Sequence, residues 1–248
     1  MSLIEVQTAD IVKKQFSYKW RAYIGVFTSL VIIQLLGVLF SLNGTGSRGR
    51  GTTGYDIRID YFNADMVLIF TIFWGFITAF LLTTKAYRED DFAFVTNRAS
   101  STFSTIAFLF TICGIGAITA ILSGYLLKVI TYFFLPGEEI FLAGGAVGPG
   151  VFIIGFLATT LSIFLFSSIG YLSGMIIQWN KMFVILLPVI VFGTLILLSR
   201  SGLSVDSFLF KFIFQESNFI LFVIKTIAAT TIFYALATLI SNRLEVKQ

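Results

Sequence analysis

Residues 85–100, KAYREDDFAFVTNRAS, carry six charges, Lys85, Arg88, Glu89, Asp90, Asp91 and Arg98, with Phe92, Phe94 and Val95 threaded among them. Three adjacent carboxylates beside arginines can do acid–base work or recognition. The rest of the chain argues against the first. His is absent from all 248 residues, which removes the commonest general base and the commonest transition-metal ligand. No nucleophile is set beside a base. The single cysteine, Cys113, lies within an apolar run, and Asp65 is the lone acid at the edge of one. No catalytic set is legible, so no enzyme is expected. Recognition remains: charged pairs that set register, and Phe92 and Phe94 filling pockets on another protein. A solvated connector whose charges only stop the preceding helix is the alternative, and it leaves the exposed phenylalanines without a purpose.

The glycine-rich stretch GTGSRGRGTTG at 44–54 invites a phosphate-loop reading. Such a loop needs G-x-x-x-x-G-K-[ST], with backbone N–H groups and a lysine on the phosphates. No Lys-Ser or Lys-Thr follows these glycines. The stretch reads as a flexible loop, and the chain has no ATPase site or metal site of its own. Polar groups inside apolar runs are the other candidates, because a charge in the membrane usually carries function. Lys225 is a candidate for lining a translocation path, with snorkelling to the interface as the equal alternative. Lys128 reads as a snorkelling residue. Gln34 reads as a hydrogen-bonding link between helices rather than a substrate contact. Phe73, Trp74 and Phe76 suit a path lining, lipid contact or packing equally well.

The elements that position these residues follow from composition. The chain is 57% hydrophobic and 12% charged, against about 25% charge in a soluble domain. Its mean hydropathy is +0.93. Lipid must cover most of that apolar surface. The expected fold class is all-α: a single polytopic membrane domain with six transmembrane helices, at 22–42, 65–84, 103–126, 150–172, 182–199 and 218–240. Each is near the roughly 20 residues that cross the hydrocarbon. None alternates with a period of two, which excludes barrel strands. The third run stays apolar past Lys128 and reads as a long or broken helix.

The first twenty residues do not read as a secretory signal. Val12, Phe16 and Trp20 recur every four residues beside Lys13, Lys14 and Lys19. That spacing predicts a short helix lying on the membrane surface. Lysines and arginines set orientation. Ten fall on the side of the N-terminus, the 85–100 connector, Lys181 and the tail, and five on the other side, Arg48, Arg50, Arg58, Arg200 and Lys211. The bias places both termini in the cytoplasm. The net charge of +4 speaks of topology rather than nucleic acid. Among the outer loops, FLFKFIF at 208–214 is too short to span and too apolar for open water, and reads as re-entrant or interfacial.

A basic amphipathic N-terminal segment, six spans, a charged connector between the second and third, and an apolar outer segment between the fifth and sixth resemble the membrane subunit of an ABC-2-type transporter. The resemblance covers the whole chain and rests on layout. YREDDFAFVTNRAS, residues 87–100, is the stretch most similar to small bacterial permeases of this class. The resemblance implies that Arg88, Glu89, Asp90, Asp91, Phe92, Phe94 and Arg98 form a coupling helix fitting a cleft in an ATPase subunit. It implies two membrane subunits, a second copy or a paralogue, and two ABC ATPases that bind the ATP and Mg. It implies a multi-pass protein of the bacterial cell membrane, with export more common than import, of amphipathic peptides or of antimicrobial or hydrophobic compounds. ATP would draw the ATPases together, and their movement would push on the connector and rock the helices. The rival class is a stand-alone secondary carrier, channel or membrane scaffold. Carriers usually have repeated halves and mid-membrane polar groups, and no repeat is visible here.

Overall fold

Inside lipid, backbone N–H and C=O groups have no water to bond, so an apolar run satisfies them within its own helix. The computed structural model describes residues 8–42, 46–52, 55–61, 64–85, 87, 98–134, 148–200 and 218–243. In these, the apolar runs are helices: α1 (Thr8–Ala22), α2 (Gly25–Ser41), α3 (Asp65–Leu82), α4 (Arg98–Phe134), α5 (Pro149–Trp179), α6 (Phe183–Arg200) and α7 (Phe219–Arg243). Four of them, α3, α4, α5 and α7, are long and apolar enough to cross a membrane. The α1–α2 pair, bent by 55°, makes a fifth when taken as one span. The expectation of a helical protein with several membrane-spanning helices holds. Among the described residues the count of six is not reached, and α2 alone has only 17 residues.

Local chemistry sets several boundaries. Pro149 opens α5 at its first turn, where the missing N–H costs nothing. Asn218 Oδ1 accepts from Ile220 N at 3.1 Å and caps α7. Asn180 Oδ1 accepts from Met182 N at 3.1 Å in the short turn between α5 and α6. The third apolar run is one unbroken helix of 37 residues, α4. At 1.5 Å per residue it is about 55 Å long, well beyond the roughly 30 Å of hydrocarbon. Lys128 does not break it, and its ammonium lies 5.7 Å from the centroid of the Tyr125 ring.

One expectation needs correction. The stretch read as a flexible glycine-rich loop forms an antiparallel hairpin, β1 (Gly46–Thr52) with β2 (Tyr55–Tyr61), in register from Gly46 opposite Tyr61 to Thr52 opposite Tyr55. The reason is β2, where Tyr55, Ile57, Ile59 and Tyr61 alternate with Asp56, Arg58 and Asp60, the period of a strand. α1 is helical, and within it Lys19 is 1% exposed and Gln15 is buried. One face of α1 therefore packs on α4, while Lys13, Lys14 and Arg21 stay exposed.

The spine of the bundle is the α3–α5 pair, whose backbones approach through small residues. A Cβ on Gly170 would fall 2.2 Å from Phe76 O, and one on Gly75 would fall 2.7 Å from Ile163 Cγ2. Apolar attraction does not hold helices together in lipid, so close packing and interhelical hydrogen bonds must. α2 joins through Gly37, where a Cβ would meet Val67 Cα at 2.8 Å. Gln34 Nε2 donates to Gly116 O at 3.1 Å and to Thr71 Oγ1 at 3.3 Å, tying α2 to α4 and α3. Trp74 is buried, and its Nε1 donates to Ser29 Oγ at 2.9 Å. It is a packing residue, as Gln34 is.

Candidate functional site

The connector itself, with Arg88, Glu89, Asp90, Asp91, Phe92 and Phe94, lies outside the described residues. Its two roots do not. α3 ends at Leu82, and α4 opens at Arg98. Around these roots four helices converge. From α1, the Lys19 ammonium donates to Thr105 Oγ1 of α4, whose own hydroxyl donates to Ser101 O at 2.9 Å. A lysine is almost never fully buried without a partner, and here the partner is on the first turns of α4.

Tyr23 follows one turn after Lys19 and is 6% exposed. Its ring meets Tyr87, in the connector's first turn, edge to face at 4.9 Å, and Phe108 of α4 at 5.9 Å. Both distances are those of favourable aromatic pairs. From α5, Gly174 lets the helix close on Thr83, whose hydroxyl a Cβ would meet at 2.0 Å. Thr83 in turn donates to Phe80 O at 2.7 Å. Tyr23, Leu82, Phe108, Tyr171 and Met175 belong to one buried cluster, with Phe16 and Tyr87 packed against it. A displacement of the connector roots would thus bear on α1, α3, α4 and α5 together.

Lys225 is elsewhere. It is half-buried, near the start of α7. Lys225 lines neither of the clefts described next.

Two clefts flank the start of α4. One, of about 710 Å³, lies between α4, α5 and α7 and is walled by Phe103, Phe110, Leu161, Phe164 and Tyr234 among others. The other, of about 610 Å³, lies between α1 and α4, with Val12, Lys13, Phe16, Phe103, Ala107 and Thr111. Phe103 lines both and is 61% exposed. Among the described residues no cluster of His, Cys, Asp or Glu could hold a metal.

The close helix contacts are a feature that composition and charge do not reveal. Their signal is nonetheless in the chain. Gly170-x-x-x-Gly174 in α5 faces Gly75-x-x-x-Ala79-x-x-x-Thr83 in α3, the small-residue spacing that lets membrane helices approach. No family model, no curated protein and no solved structure matches the chain.

Proposed function

We propose that the chain is the membrane-spanning subunit of an ATP-driven ABC-2-type transporter, an exporter of amphipathic peptides or of antimicrobial or hydrophobic compounds. In this reading α2 to α7 are six crossings of a bacterial cell membrane, both termini are cytoplasmic, and α1 lies at the cytoplasmic surface. Two copies, or the chain and a paralogue, pair with two ABC ATPases, which bind the ATP and Mg. Residues 88–98 dock on the ATPase, and Lys225 lies on the path.

One observation carries the reading: the connector is rooted in a packed corner where α1, α3, α4 and α5 meet. Lys19 holds α4, Tyr23 holds Tyr87 and Phe108, and Gly174 closes on Thr83. A stroke delivered to a solvated loop would dissipate. Delivered here, it moves rigid helices as a unit, which is what alternating access requires. Aromatic and charged residues on the connector suit a docking surface.

The test is co-purification. The tagged chain, extracted in mild detergent, should bring down an ATP-binding partner whose hydrolysis rises on reconstitution with it. A chain that purifies alone, as a monomer, and still transports would overturn the reading in favour of a stand-alone carrier.

A further inference from the structure

We propose that an anionic glycerophospholipid is seated at the start of α4, its phosphate at Lys13 and its acyl chains in the two clefts on either side of Phe103. The inference goes beyond the transporter reading. It needs only a bilayer around the chain.

The clefts have the size and chemistry of hydrocarbon sites. Their volumes, about 710 and 610 Å³, fall in the roughly 300–1,000 Å³ range of small-molecule pockets. Their walls are aromatic and aliphatic. Four threonine hydroxyls among them are committed: Thr111 donates to Ala107 O at 2.9 Å, Thr231 to Ile227 O at 2.8 Å, Thr238 to Tyr234 O at 2.7 Å, and Thr230 to Thr226 O; the buried Tyr234 hydroxyl, on the α4–α5–α7 cleft, is left as a single polar point in an apolar wall. A peptide or sugar placed here would leave most of its own polar groups without partners, at a cost that hydrocarbon does not incur.

The two clefts share one wall residue, Phe103, which stands between them as a ridge. A ligand with two apolar arms joined at one end fits such a site. The joint must lie where charge is tolerated. Lys13 is the charged residue that lines the α1–α4 cleft. Lys14 beside it is exposed, and Asp10 lies one turn earlier on the same helix. The local balance is positive, so the complementary headgroup is an anion. Two chains and a phosphate define a phospholipid, and the cation favours an anionic one over a zwitterionic one.

The test places the purified full chain in nanodiscs of equal palmitoyl-oleoyl phosphatidylglycerol and phosphatidylcholine. After detergent washing, retained lipid is counted by mass spectrometry. The wild type should retain phosphatidylglycerol in preference. Lys13→Gln should cut that preference by roughly fivefold, the worth of one cation at an anionic surface, and Arg21→Gln, exposed on α1 and outside both clefts, should leave it unchanged. Ala107→Phe, which fills the α1–α4 cleft from its α4 wall, should reduce retention of both lipids; Val12→Trp fills the same cleft from α1 and serves if the first variant melts below the wild type. Equal retention of the two lipids by the wild type would overturn the proposal. So would equal losses from Lys13→Gln and Arg21→Gln, which would mean a diffuse surface charge, or full retention by a folded cleft-filling variant.

Discussion

Gly170 of α5 lies against the backbone of Phe76 in α3, so closely that a Cβ at Gly170 would be 2.2 Å from the Phe76 carbonyl oxygen. A backbone oxygen held in a helix cannot rotate away. Gly174, one turn on, faces the Thr83 hydroxyl instead, and a side chain can move. The two glycines share a motif but differ in what a methyl group would meet.

Gly170→Ala should therefore destabilise the α3–α5 pair, by about 1–3 kcal/mol for an overpacked contact. Gly174→Ala should cost less, and Thr83→Ala in the same chain should restore most of the loss. Gly155, where a Cβ would meet nothing within 4 Å, should accept alanine without loss. Thermal unfolding of the purified variants in one detergent ranks them, and Gly170→Ala as stable as Gly155→Ala would contradict the packing.

Gln34→Leu tests the hydrogen-bonded link between α2, α3 and α4. Thr71 keeps a second bond, from its hydroxyl to Val67 O at 2.7 Å, and Gly116 O is in a helix. Little is left stranded, so the loss should be near 0.6 kcal/mol and no more than about 1.7. Unfolding in denaturant measures it.

Lys19→Ala removes a buried ammonium from Thr105 and should loosen α1 from α4, by about 1–3 kcal/mol. Arg21→Ala, on the exposed face of the same helix, should change stability by less than about 0.5 kcal/mol. Limited proteolysis of α1 distinguishes them, since only the first should speed cleavage.

Lys19 also marks where sequence reading ends. Uninterrupted apolar runs announce α3, α5 and α7 because lipid leaves such a run no structure but a helix. Nothing in the run 22–42 announces the bend before Gly25, where the chain turns by 55°, nor the contact of α1 with α4, which links Lys19 to Thr105 across more than eighty residues. A lysine beside two others reads as surface charge, and only tertiary packing makes Lys19 internal. The hairpin was legible: β2 alternates, but the glycines beside it dominate the composition. The small residues of α3 and α5 were legible as a spacing, but not as partners. The connector's charges and aromatics are visible in the chain, and in the proposed reading what they touch lies on another molecule.

The lysine and arginine split, ten against five, predicts the hairpin outside and α1 inside. Cys113 is fully buried, so the native thiol stays silent to a membrane-impermeant reagent. In intact cells Ser47→Cys on β1 should label, and Ser17→Cys on the exposed face of α1 should label only after permeabilisation. The opposite pattern would invert the topology and put the connector outside the cell.

The connector prediction draws on both its residues and its roots. Phe92 and Phe94 are the proposed anchors on the ATPase, and truncating a well-packed interface aromatic costs about 2 kcal/mol or more. Glu89, Asp90 and Asp91 are the orienting charges, which act through association rate and salt dependence. Phe92→Ala with Phe94→Ala should detach the ATPase or uncouple its hydrolysis from transport. Reversal of the three acids should weaken assembly more at low salt than at high salt. Tyr87→Ala differs, because it removes the ring that meets Tyr23 at 4.9 Å. It should leave the ATPase bound while lowering transport per ATP, since the docking surface survives and its anchorage to α1 does not. Pull-down of the ATPase and the ratio of transport to hydrolysis separate the three variants. If the double phenylalanine variant keeps both binding and coupling, the segment is a solvated connector and the ATP-driven reading loses its support.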